Sequence, residues 1–108
     1  DAGLFRALRG QALRGMGEFA VEDLSMLAWS FATARARCRL LFERISLQAL
    51  PRARELAPED LSNLAWAFAK VGAGGDVLLR RLAEEALLRM PGFEPGHLSN
   101  MARACGRA

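Results

Sequence analysis

The chain is poor in the residues that most often carry chemistry. Among 108 residues there is one histidine (His97), two cysteines (Cys38 and Cys105), one lysine (Lys70) and no tyrosine. The cysteines stand far apart in no Cys-x-x-Cys or Cys/His spacing, so neither a metal site nor a disulfide framework is expected. Reduced thiols of an intracellular or organelle compartment are the default. No apolar run approaches the roughly 20 residues of a membrane-spanning helix, so no membrane span is expected. His97 falls in the first turn of a helical pattern, where a capping or surface role fits better than acid–base work. The Gly-rich stretch GAGGD (72–76) lacks the preceding strand and the following Lys-Ser/Thr of a nucleotide loop. The sequence therefore predicts no enzyme, no catalytic residue and no cofactor.

What is present is apolar and basic. Apolar residues make up 52% and charged residues 25% of the chain, a balance that fits an ordered protein and excludes a disordered tail. The net charge is +3, and every cation except Lys70 is an arginine. Arginine forks match phosphate and carboxylate geometry, which favours an anionic partner; a GC-rich genome would raise Arg and Ala together with no such meaning. Asp1 in place of Met predicts a piece of a longer protein.

The strongest signal is an internal repeat. FAVEDLSMLAWSFA (19–32), LAPEDLSNLAWAFA (56–69) and FEPGHLSNMARACG (93–106) align without a gap, and so do LFRALRGQALRG (4–15), LFERISLQALPR (41–52) and LLRRLAEEALLR (78–89). Leu24, Leu61 and Leu98 are spaced by 37 residues, as are Leu4, Leu41 and Leu78. A fixed period of this size is the signature of a stacked array. Each unit reads as two helices. Helix A opens at Glu22-Asp23, Pro58-Glu59-Asp60 or Glu94-Pro95 and, in the second unit, stops near Gly72. Helix B of that unit runs from about Val77 to Met90, and Pro51 predicts a kink or early stop in the equivalent helix before it.

The expected fold is all-α, an α-solenoid of antiparallel helix pairs with a 37-residue repeat. Residues 1–108 form a single helical-repeat segment: helix B of a first unit over 1–18, full repeats over 19–55 and 56–92, and helix A of a last unit over 93–108. Neither end of such a stack looks capped, so either residues outside this chain complete it or another macromolecule covers the ends, with other protein subunits the expected partners. Residues 4–16, with Arg6, Arg9 and Arg14 and no acid before Glu18, also fit an organelle-targeting helix, although their match to the later B helices favours the repeat.

On a helical wheel, Leu61, Leu64, Ala65 and Phe68 should meet helix B, and Ser62, Trp66 and Ala69 an adjacent A helix. The remaining arc holds Glu59, Asp60, Asn63, Ala67 and Lys70. Taking the equivalents of the last three, the candidate RNA-binding groove comprises Met26, Ser30, Thr33, Asn63, Ala67, Lys70, Asn100, Ala104 and Arg107. Varying polar positions on a constant frame suit a modular reader of single-stranded or ribosomal RNA; Asn63 and Asn100 could equally satisfy a backbone group or face water. Trp29 and Trp66 could stack on bases, but their Leu and Ala neighbours point to packing. Arg35, Arg37 and Arg39 form the densest basic cluster and are the phosphate candidates, whereas the B-helix arginines read as a solvated face with local ion pairs such as Arg81 with Glu84 or Glu85.

The phrase LSNLAWAFAKVG (61–72), its copies beginning at 24 and 98, and the 37-residue step resemble the octotricopeptide and heptatricopeptide repeats, which are akin to the FAST-kinase-like repeat proteins. The PPPEW-type element of the octotricopeptide version is absent, since GGDVLLRRL (74–82) stands there, and no RAP domain follows in this chain. The resemblance implies a helical-pair fold and organelle RNA binding, in a mitochondrion or chloroplast, acting in RNA maturation, stability, translation or the organelle ribosome. The competing expectation is a structural subunit, a scaffold of protein–protein contacts in a large organelle complex.

Overall fold

Acidic residues and prolines begin the A helices where the unpaired N–H groups and the positive dipole end favour them. The computed structural model describes residues 2–36, 38–72 and 76–107, the last without its side chain. Helix α2 spans Val21–Thr33 with Glu22 and Asp23 in its first turn; α4 spans Pro58–Val71 with Pro58, Glu59 and Asp60; α6 spans Pro95–Arg107. The residues before α2 and α4, Ala20 and Ala57, share nearly one backbone conformation, φ −70° with ψ 158° and 159°. Before α6 the Glu94 N–H donates to His97 Nδ1 at 3.0 Å, so the lone histidine serves as a cap.

The B helices are α1 (Ala2–Gly15), α3 (Arg39–Ala49) and α5 (Asp76–Leu88). Each gives way to a short 3-10 turn, at Met16–Glu18, Leu50–Glu55 and Met90–Gly92. Pro51 stops α3 as expected, because its ring removes an N–H and crowds the preceding turn, and Arg52 leaves helical conformation at φ −113°. The helices thus start at residues 2, 39 and 76 and at 21, 58 and 95, at a step of 37 in both series. Among the described residues there is no strand, and the fold is all-α.

Packing follows the same step. Phe5 meets Phe31 edge-on at 5.0 Å between centroids, and Phe42 meets Phe68 edge-on at 5.0 Å. Leu24, Ala28, Leu41, Phe42, Ile45, Leu61, Leu64, Ala65, Leu78 and Leu82 are fully buried, each large one contributing about 1.5–3 kcal/mol. Leu98 departs from Leu24 and Leu61: it is 42% exposed where they are 0%. Helix α3 follows α2 and α5 follows α4, but no described helix follows α6 to cover the equivalent face.

The A helices lie side by side, α4 between α2 and α6. Of the B-helix arginines, Arg44, Arg54 and Arg80 are exposed, whereas Arg81 and Arg89 flank the buried Glu85 at 2.7 and 3.3 Å. Arg52 instead donates to two backbone carbonyls, Gln48 O from Nε and Phe19 O from Nη1, each at 3.0 Å, tying the turn after α3 to the start of the α2 unit. Helix α4 ends at Gly72, φ 69°, whose N–H bonds to Phe68 O; Ala73, Gly74 and Gly75 of the GAGGD stretch lie outside the described residues. No helix among the described residues is long and apolar enough to cross a membrane.

Candidate nucleic-acid interface

A helix packed between two neighbours and against a B helix keeps only a narrow open stripe. In α4 that stripe is Glu59, Asn63, Trp66 and Lys70, one residue per turn. With Met26, Trp29 and Thr33 of α2 and Asn100 and Arg103 of α6, the first three of these line a cavity of about 510 Å³ across the three A helices. Its residues fall into rows 37 apart: Met26, Asn63 and Asn100; Trp29, Trp66 and Arg103.

The rows touch. Asn100 Nδ2 donates to Asn63 Oδ1 at 3.2 Å. Trp29 and Trp66 stand 6.4 Å apart between centroids and are tilted by 38°, and the Lys70 ammonium lies 5.4 Å over the Trp66 ring. Trp29 is 38% exposed. A second, smaller cleft of about 270 Å³ lies at the carboxyl ends of α2 and α4, lined by Ala32, Arg35, Lys70 and Val71. Charge is therefore sorted across the layer: Glu22, Asp23, Glu59 and Asp60 at the amino ends, Arg35 and Lys70 at the carboxyl ends. Burial, with Glu59 and Glu22 nearby, raises the Asp60 carboxyl above its ordinary value.

Arg35 holds a left-handed backbone, φ 58°, at the position that Gly72 occupies one unit later. The Ala36 N–H reaches back to Phe31 O at 2.9 Å and closes the helix end, a geometry that favours glycine. A side chain there costs on the order of 1 kcal/mol, and it places the exposed Arg35 guanidinium beside the groove.

Several expectations change. Met26, Thr33, Asn63, Lys70 and Asn100 do lie in or beside the open stripe. Ala67 and Ala104 do not: both are fully buried, because flanking A helices claim an arc that the wheel of one isolated helix leaves open. Ser30 lines a different cleft, between α1 and α2. The side chain of Arg107 and all of Arg37 lie outside the described residues, and Arg39 is exposed at the start of α3. Trp29 and Trp66 pack on each other across adjacent A helices as expected, and they also line the groove, with Glu59 of the open arc and Arg103. Arg103 was the available signal: a row that accepts arginine in the third unit borders water.

No curated protein and no solved structure matches the chain. One family model matches residues 3–106, that of the RNA-editing substrate-binding complex 6 protein (RESC6). This overturns the resemblance to octotricopeptide and heptatricopeptide repeats. The Leu-Ser-Asn-Leu-Ala-Trp-Ala phrase that carried it is a packing solution, with small residues where helices approach and leucines toward helix B, and such a phrase does not distinguish one layered helical family from another. The family's description names an editing complex and lends no support to a ribosome or a chloroplast. With all but the outermost residues covered, the chain belongs to the RNA-editing substrate-binding complex 6 protein family.

Proposed function

We propose that the chain is an RNA-binding helical segment of an RNA-editing assembly, holding single-stranded RNA in the groove across α2, α4 and α6. The observation that carries this reading is the Trp29–Trp66 row with Asn63 beside it and cations at one edge. Tryptophan faces stack on bases of any sequence, asparagine can bond a base edge, and Lys70 and Arg35 can meet phosphate. The strand would then run across the helices, its backbone on the carboxyl-end side and away from Glu22 and Glu59. The family's description supports an editing-complex setting, and we assign the chain no catalytic step. An organelle is the compartment this proposal carries.

The fold proposed for this role is an α-solenoid of antiparallel pairs with a 37-residue unit. Its support is the common step of the helix starts, the repeated phenylalanine pairs and the matching conformations at Ala20 and Ala57.

Titration of a labelled single-stranded RNA at two salt concentrations tests the binding. Affinity should fall as salt rises, because bound phosphates release counterions; undetectable or salt-independent binding would overturn it. The second reading, a protein-binding subunit, is favoured by the open apolar cleft between α1 and α2. Cross-linking of the native particle separates the two: RNA adducts at Trp29, Asn63 and Lys70 support the first, and protein adducts alone the second.

A further inference from the structure

The groove holds one side chain that phosphate contact does not call for. Glu59 lines it together with Trp29, Asn63 and Trp66, although a carboxylate repels the backbone of any RNA. Glu22, Asp23 and Asp60 stand, like Glu59, at the positive end of a helix, where the dipole accounts for an acid. Of these four acids only Glu59 lines the cavity, and the dipole does not account for that. Glu59 is exposed, and no ion pair or hydrogen bond engages its carboxylate among the described residues. One unit later the same position is Gly96, and nothing lies within 4 Å of where a β-carbon would stand there. The space beside Glu59 is therefore open on the α6 side.

One turn on from Glu59 is Asn63, and the bond between the two asparagines sets what Asn63 offers. Asn100 Nδ2 donates to Asn63 Oδ1 at 3.2 Å. The Asn63 oxygen is thus engaged toward α6, and its Nδ2, on the other arm of the planar amide, remains a donor. A carboxylate accepts and does not donate. Along the amino half of α4 the groove presents two acceptors at Glu59 and then a donor at Asn63, on β-carbons about 5–6 Å apart. Beside them Met26, 54% exposed, and Trp29 form an apolar platform.

This order complements one base edge. An unstacked base exposes its Watson–Crick edge, and that of guanine reads N2 amino group, N1–H, O6: two adjacent donors, then an acceptor. Uracil matches at N3–H and O4 but sets its O2 against the carboxylate. Cytosine and adenine set a ring-nitrogen lone pair there and a donor against Asn63. We infer, resting on RNA binding as proposed above, that the groove takes guanine in preference to the other bases. Glu59 accepts from N1–H and N2, Asn63 Nδ2 donates to O6, and the ring lies over Met26 and Trp29. The phosphates stay at the carboxyl-end edge with Lys70 and Arg35, so the base edge points at the acid and the backbone away from it. Other bases are rejected because they leave the carboxylate facing an acceptor with no proton between them.

Fluorescence anisotropy with short labelled RNAs tests this: a uridine oligomer, and the same oligomer with isolated guanosines, adenosines or inosines at the same places. Inosine is guanosine without the N2 amino group, so that comparison needs no variant protein. The guanosine RNA should bind about 5- to 150-fold more tightly than the uridine and adenosine RNAs, the range of one bidentate base contact, and inosine should lose most of the gain. Glu59→Gln, at an exposed position and checked for folding by circular dichroism, should bring the guanosine and inosine affinities together. A carboxylate that merely repels phosphate would, on removal, strengthen binding of every RNA by one common factor. That result, equal affinities for all four RNAs, inosine binding as well as guanosine, or a variant that keeps the guanosine-to-inosine ratio would each overturn the inference and leave RNA binding standing. Binding of none of the four at low salt would overturn both.

Discussion

Asn63 and Asn100, 37 residues apart in sequence, are joined by a 3.2 Å hydrogen bond between their side chains. The bond closes one floor of the groove and ties α4 to α6, whose other side no described helix supports. Asn100→Ala should cost about 0.5–1.5 kcal/mol, at about 4–8 °C of melting temperature per kcal/mol. A double-mutant cycle with Asn63→Ala checks the assignment, since strictly additive losses would mean the bond contributes nothing.

The two phenylalanine pairs have the same 5.0 Å separation but different burial, and burial decides their worth. Phe68 is almost fully buried, whereas Phe5 is half-buried at the edge of the α1–α2 cleft. Phe68→Ala should destabilise by about 3–5 kcal/mol, and Phe5→Ala by clearly less. Urea denaturation monitored by tryptophan fluorescence measures both.

For RNA, Trp29→Ala should remove a stacking surface worth about 1–3 kcal/mol per base, which is roughly a 5- to 150-fold loss of affinity. Lys70→Ala should instead lower the dependence of affinity on salt, by about 0.7 in the log–log slope if it neutralises one phosphate of a single strand. Equal salt slopes for the variant and the unchanged chain would remove Lys70 from the interface.

Arg35 sets stability against binding. Glycine suits its left-handed backbone, so Arg35→Gly should raise the unfolding free energy by about 0.5–1 kcal/mol. The same change should weaken RNA binding. A variant that is more stable and binds RNA unchanged would show that the guanidinium has no part in phosphate contact.

Asp60 supplies a pH signature. Its carboxyl is raised in the folded chain, first by burial and then by Glu59 and Glu22, so between its ordinary and its raised value the folded state holds more proton than the unfolded one. Stability therefore falls as pH climbs through that window, and the penalty is complete above it. Asp60→Asn should raise the melting temperature at neutral pH relative to the unchanged chain, and the advantage should vanish in acid below the ordinary aspartate range. A gain of the same size at both ends of the pH range would assign it to something other than ionisation.

Much of the fold was legible because the apolar residues recur with the helical period and the whole pattern recurs every 37 residues. Pro51 ending α3 and Gly72 ending α4 followed from backbone chemistry alone. The groove was legible only in part. A wheel drawn for α4 identifies the side that meets helix B and sets Trp66 toward a neighbouring A helix, where it meets Trp29, yet it cannot say how much of the remaining arc two flanking helices will take, and so it leaves Ala67 in the open arc although the structure buries it. Nor does the repeated phrase identify the family, since any layer of close-packed helices selects the same small and leucine residues.

Local sequence determined which segments are helices, where they start and stop, and that consecutive units are alike, because capping, proline and glycine chemistry and amphipathic spacing act within a few residues. Only the tertiary structure decided which stripe faces water, that Asn63 meets Asn100 and Trp29 meets Trp66, and that charge is sorted to opposite edges of the layer. Those features depend on how far one helix is rotated and shifted against the next, a quantity set by the side chains of all the neighbours together.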